Sequence, residues 1–242
     1  MMLRLVICLL IPFVFVIPVK NQDSFGIASL SYSPDGRYVA GVGSRVMVWD
    51  GMTGDMIANI ELPLEQDALL FDAAWSPDGN RLAIAGDDRR MRVLDFAEDA
   101  ESFGTVLADV ELTTYLSVRS IAWSPDGSLI AIGGDEITPR LEFRDGATYE
   151  FIRASAYVLG ANRMDWNPDP QRTLIATTDI YLNGAQLADA AEDASNLPQS
   201  VCSQCAPDAI ALPVAWNNNG TMLAIGTMMA VFSSSIPRLI QF

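Results

Sequence analysis

Short apolar stretches, broken by compact polar turns, run along the chain from about residue 25 to residue 232, and no long segment of helical period interrupts them. One such stretch leads into an aromatic at residues 69–75 and another at 118–123. In three places the tetrapeptide Ser-Pro-Asp-Gly then follows. Proline presets φ, the aspartate can accept hydrogen bonds from nearby backbone amides, and glycine tolerates positive φ. A second apolar stretch comes next, as in Leu82-Ala-Ile-Ala-Gly86 and Ile130-Ala-Ile-Gly-Gly134. A third covers residues 45–49, 91–96 and 140–144, and a weaker fourth covers 56–60, 104–110 and 149–153. Alternation at this length predicts short antiparallel strands, with small residues on the second strand where neighbours crowd.

Aligned on one aromatic, the pattern occurs five times: Tyr32-Ser-Pro34-Asp35-Gly36, Trp75-Ser-Pro77-Asp78-Gly79, Trp123-Ser-Pro125-Asp126-Gly127, Trp166-Asn-Pro168-Asp169-Pro and Trp216-Asn-Asn-Asn-Gly220. The aromatics are spaced by 43, 48, 43 and 50 residues, and four of the five tryptophans occupy this one position. An alanine follows eight residues later at Ala40, Ala83, Ala131 and Ala224, and ten later at Ala176. Four short strands per repeat of this length are the signature of a propeller blade. The expected fold is therefore all-β: a β-propeller of four-stranded antiparallel blades over residues 24–242, with units starting near 25, 68, 117, 160 and 209. Unit five offers strands at 210–216 and 222–225, a third at 228–232 and no fourth. That gives four to five blades, in a ring expected to be incomplete or open. Residues 183–208 read as an insertion between units four and five.

Composition narrows the chemistry. Half of the 242 residues are hydrophobic, enough to bury a core without help from metal or disulfides. The net charge is −15, with fourteen arginines and one lysine, Lys20. Such a surface repels phosphate backbones, which argues against nucleic acid as a partner. Histidine is absent from the sequence. That removes the usual base near neutral pH, every Ser-His-Asp or Cys-His pair and every His-containing zinc site. No cofactor is expected.

At the N-terminus Arg4 precedes an apolar run over residues 5–19, closed by Lys20, Asn21, Gln22 and Asp23. As helix this run would rise about 22 Å, short of a hydrocarbon core of ~30 Å, and Pro12 and Pro18 weaken it further. Residues 1–23 read as a secretory signal, or as an N-terminal anchor that stays attached. The chain is thus expected to be exported (periplasmic, extracellular or at the cell surface), touching membrane only if that segment is retained.

Trp49-Asp50, closing the third stretch of unit one, resembles the dipeptide of the WD40 family; units two and three keep Asp95 and Asp145 in roughly that place. The resemblance covers residues 25–232 and is strongest in units one to three. The family's Gly-His pair is missing, so a histidine-centred hydrogen-bond network cannot form here. The Ser-Pro-Asp-Gly turn also resembles repeats of TolB-like propellers, but the Trp49-Asp50 pair favours WD40. The WD40 resemblance implies a non-enzymatic platform for protein partners. The rival readings are an extracytoplasmic propeller enzyme or ligand-binding protein, and a fragment without independent function.

Candidate chemistry is sparse. Cys202-Ser-Gln-Cys205 lacks the two further ligands that zinc needs, and it reads as a local disulfide in an exported chain or else as inert thiols. Asp35, Asp78, Asp126 and Asp169 read as turn formers rather than a ring of cation ligands. Asp87-Asp88-Arg89-Arg90 reads as an exposed turn, and Glu98-Asp99-Ala-Glu101 as a solvated loop without calcium-loop spacing. The aligned tryptophans read as core aromatics.

Overall fold

A computed structural model describes residues 26–64, 68–98, 101–136, 140–156, 161–179, 184–190, 199–202, 213–226 and 238–241. The expectations for residues 1–23, residues 228–232 and Cys205 lie outside the described residues.

The described chain is all-β and is built from antiparallel meanders. Blade 1 holds β1 (Ile27–Tyr32), β2 (Tyr38–Gly43), β3 (Val46–Asp50) and β4 (Met56–Ile60). Blade 2 holds β5 (Leu70–Trp75), β6 (Arg81–Gly86), β7 (Arg90–Asp95) and β8 (Val106–Glu111). Blade 3 holds β9 (Tyr115–Trp123), β10 (Leu129–Glu136), β11 (Arg140–Asp145) and β12 (Phe151–Ala156). Blade 4 holds β13 (Ala161–Trp166), β14 (Leu174–Asp179), β15 (Gly184–Asp189) and β16 (Gln199–Cys202). Blade 5 holds β17 (Val214–Trp216), β18 (Met222–Ile225) and β19 (Arg238–Gln241).

Two expectations about the C-terminal part need correction. The stretch expected as an insertion contains two strands of a blade, because β15 and β16 are the third and fourth strands of blade 4. In blade 5 a further strand that the expectation did not include, β19, pairs with β18 from Met222↔Gln241 to Ile225↔Arg238. Both errors have one cause: backbone pairing, not apolar alternation, defines these strands, and Gly-Ala-Gln-Leu-Ala-Asp carries little of the latter.

The blades pack in chain order through their inner strands, β1 on β5, β5 on β9, β9 on β13 and β13 on β17. Among the described residues no comparable packing brings β17 back to β1. Each joint has an apolar core. Between blades 1 and 2, Tyr38, Val42 and Val48 meet Leu70, Trp75, Leu82 and Phe96. Tyr38 lies on Trp75 with centroids 5.6 Å apart and planes at 20°, while Phe96 meets Trp75 edge-on at 5.2 Å. Burying each such side chain contributes on the order of 1.5–3 kcal/mol.

Candidate interaction surfaces

The turn after each aligned aromatic is a closed hydrogen-bond device. In blade 3 the Ser124 hydroxyl donates to Asp126 at 2.6 Å and accepts from the Leu129 amide at 2.9 Å, while the Ser128 amide donates to Asp126 at 3.0 Å. Gly127 sits at φ +74°, where a side chain would be strained. These bonds, led by the one from Ser124, hold the Asp126 carboxyl below its ordinary range. Blades 1 and 2 repeat the device with Ser33–Asp35 at 2.7 Å and Ser76–Asp78 at 2.6 Å. In blade 4 Asn167 replaces the serine and accepts from the Asp169 amide, and Asp169 accepts from the Gln171 amide, both at 3.0 Å. In blade 5 Asn217 accepts from the Thr221 and Met222 amides.

The third-strand aspartates serve the next turn. Asp50 accepts from the amides of Met52 and Thr53, and Asp145 from those of Ala147 and Thr148, all within 2.8 Å. The Thr53 and Thr148 amides are the first cause that holds the two carboxyls below their usual range. Asp95 accepts from the Ala97 amide and the Ser102 hydroxyl. Among the described residues no group of three or more acidic or thiol side chains converges as a metal site.

The aligned tryptophans stitch neighbouring blades. Trp75 Nε1 donates to the Ser31 carbonyl at 3.1 Å, and Trp166 Nε1 to the Ala122 carbonyl at 3.2 Å. In each case the acceptor directly precedes the aligned aromatic of the previous blade. Trp123 Nε1, by contrast, is buried without a hydrogen bond.

Asp72 joins three blades. It stands three residues before its aromatic, where the other units have Ser29, Ser120, Arg163 and Pro213. Its carboxylate accepts from Ser29 Oγ of blade 1 at 2.9 Å, and from Ser120 Oγ and the Ile121 amide of blade 3 at 2.9 and 3.1 Å. Burial pushes this carboxyl above its ordinary range, against the pull of those donors. A β-bulge explains how the side chain reaches so far. In four inner strands one extra residue (Ala28, Phe71, Arg119 and Asn162) falls just before this position and re-aims the side chain that follows. The Arg119 guanidinium lies 4.5 Å from the Phe71 ring centre, so the bulged residues of adjacent blades also touch.

Asp165 does related work at the last joint, accepting the Trp216 amide at 2.6 Å. Burial raises its carboxyl to about 6. A cleft of about 300 Å³ runs along these inner strands, lined by Tyr32, Asp72, Trp75, Trp123, Asp165 and Trp166 with neighbouring residues. Both carboxylates on its wall are engaged in holding blades together.

Two acidic loops behave differently from each other. Asp88 is not exposed: its side chain and that of Arg92 are almost wholly buried, with Nη1 and Oδ2 2.5 Å apart. Arg89, next in the chain, takes φ +57°, and Asp88 points inward to Arg92. The pairing could have been suspected only from an arginine at an inward position of β7. Glu98, by contrast, is exposed and reaches Arg37 of blade 1 at 3.1 Å. Cys202 closes β16, whose backbone pairs with Ala185.

The outer rim repeats as well. β4, β8 and β12 each open with an apolar pair, Met56-Ile57, Val106-Leu107 and Phe151-Ile152, and all six residues are exposed. In each blade the second member is an extra residue bulging from the edge strand. Such a bulge blunts a free edge against strand pairing while leaving its side chains available.

The sequence signature described as "WD domain, G-beta repeat" matches residues 17–50, 65–95 and 111–137. Those three segments carry WD40 repeats. WD repeat-containing protein 1 of Xenopus tropicalis is 26% identical over 107 residues, which cover 42% of this chain and 18% of that protein. Actin-interacting protein 1 of Drosophila melanogaster is 26% identical over 84 residues, 34% of this chain and 14% of that one. The matched stretches span less than a fifth of either relative. Hydrazine synthase of Kuenenia stuttgartiensis superposes with a TM-score of 0.70 over 94% of this chain and 66% of that chain, at 13% identity. That likeness is one of fold alone.

Proposed function

We propose that this WD40-repeat chain is a non-enzymatic scaffold for protein–protein contacts, working outside the cytoplasm. The observation that carries the reading is the row of exposed apolar pairs at one register on three successive blades, Met56-Ile57, Val106-Leu107 and Phe151-Ile152. Apolar side chains repeated on a rigid rim suit an extended protein partner that meets several blades at once. The buried carboxylates support the same reading, because Asp72, Asp88 and Asp165 are engaged with neighbouring groups of the fold. The names of the relatives, WD repeat-containing protein 1 and actin-interacting protein 1, agree with a binding role as a class.

The test compares proteins retained from native extract by the full chain and by the triple variant Ile57→Asp, Leu107→Asp, Ile152→Asp. The proposal expects specific retention by the natural chain and its loss in the variant, with β-structure intact by circular dichroism. Identical retained sets would overturn the rim as the binding surface. Export rests on the apolar run at residues 5–19 and is tested separately, by cell fractionation with N-terminal sequencing of the mature protein. An intact N-terminus in the cytoplasmic fraction would sink it.

A further inference from the structure

Independently of that function, blade 1 carries the apolar register of the later blades and leaves it open. Ile27, Leu30 and Tyr32 are 43%, 46% and 49% exposed. Strand pairing makes them equivalent to Leu70, Ala73 and Trp75 of blade 2 and to Val118, Ile121 and Trp123 of blade 3. All six of those are buried, blade 2's set against blade 1 and blade 3's against blade 2.

The other end of the row is open in the complementary sense. Ala40, Ala83, Ala131 and Ala176 are fully buried on the second strands of blades 1 to 4, whereas Ala224 of blade 5 is only half-buried. Met222, which opens β18 as Tyr38 opens β2, is 37% exposed. Tyr38 is the residue on which Trp75 of the next blade stacks. Met222 therefore presents an uncovered seat for an aromatic, and Tyr32 is an aromatic without a seat. A thioether against a ring edge is a favourable contact, and a tyrosine tolerates a partly wet joint.

We propose that the open face of blade 1 docks on the open face of blade 5 in a second copy of this chain, with Tyr32 of one copy on Met222 of the other. The occupant follows from continuity: the joint repeats, between copies, the arrangement that Trp75 and Tyr38 make between blades 1 and 2. Because the two surfaces differ, the contact is head-to-tail and propagates or closes according to the curvature of the row.

Sedimentation velocity on the full chain over a range of concentrations tests this. The mass of the natural chain rises with concentration, and Leu30→Asp/Tyr32→Asp or Met222→Asp weakens association by roughly tenfold or more. An equimolar mixture of the two variants forms a one-to-one pair and nothing larger, since each keeps one working face. A natural chain that stays monomeric throughout overturns the proposal. Should a charged variant lose its β spectrum, Tyr32→Cys/Met222→Cys decides, with Cys8, Cys202 and Cys205 replaced by serine. Cross-links between copies support the docking. A disulfide within one chain means that blade 5 meets its own blade 1, and overturns it.

Discussion

Asp72 and Ser120, 48 residues apart in sequence, meet across the joint of blades 2 and 3 with the hydroxyl 2.9 Å from the carboxylate. The other oxygen takes the Ser29 hydroxyl from blade 1. One side chain thus sets the mutual position of three blades.

Asp72→Ala leaves two hydroxyls and the Ile121 amide without their acceptor. At about 1–3 kcal/mol for an unsatisfied buried group, softened by partial access to water, the loss should be about 2–4 kcal/mol. Urea unfolding of the full chain measures it. A midpoint unchanged from the natural protein would show that the three-blade bond contributes nothing.

Asp165 gives the fold a pH dependence of unusual sign. Its carboxyl sits at about 6 when folded, above the 3.8 of the unfolded chain, so the fold prefers the protonated form. This contribution is complete below the unfolded value and is lost as pH rises through about 6. Lowering the pH from 7 to 5 should therefore stabilise the protein, by about 1 kcal/mol from this group. Below that window the order reverses, because Asp50, Asp126 and Asp145 are held low and their protonation costs stability. Asp165→Asn keeps an acceptor for the Trp216 amide, and should gain less between pH 7 and 5, what remains coming from Asp72, whose carboxyl burial also raises. Melting temperatures across that range decide; a natural chain that gains no more than the variant would refute the assignment.

The Asp88–Arg92 pair is buried on both sides. Removing Asp88 alone strands a buried guanidinium, with Asp109 left 3.4 Å from its Nε, and should cost about 3–5 kcal/mol. Asp88→Ala with Arg92→Met removes both charges and should recover much of that loss. If the double variant is as unstable as the single in denaturant titrations, the charge is not what Asp88 supplies.

Gly127 occupies φ +74° with only ordinary contact to Pro77 for an added methyl group, 3.6 Å away. Gly127→Ala should therefore cost about 1–2 kcal/mol from backbone strain alone. Gly127→Asn should cost less, since asparagine enters that region more readily. Equal losses in thermal unfolding would point instead to crowding against Pro77.

Much of the fold was legible in the chain. Five aromatics at one register, with Ser-Pro-Asp-Gly behind three of them, announced the blades, because a turn is a local object whose bonds run between neighbours such as Ser124, Asp126 and Leu129. Asp72 was not legible as a joint residue. Only the alignment of Ser29, Asp72, Ser120 and Arg163 three places before the aromatics hinted at it, and polar residues on a strand look alike whether they face water or a neighbouring blade. Asp88 was misjudged for the same reason, since a charged loop gives no sign of the arginine it will meet. The strands at 184–189 and 238–241 escaped because Gly-Ala-Gln-Leu-Ala-Asp and Arg-Leu-Ile-Gln lack a clear apolar alternation, so only their pairing to neighbouring strands reveals them.

The sequence by itself determined the repeat, the all-β class and the chemistry denied by the absence of histidine. Local turn preferences and apolar alternation act within a few residues and need no partner. Tertiary structure alone decided which carboxylates are buried between blades, which apolar pairs stay exposed on the rim, and that Tyr32 is open where Trp75 and Trp123 are sealed. These outcomes depend on which surfaces meet, and the blade before or after supplies the meeting surface.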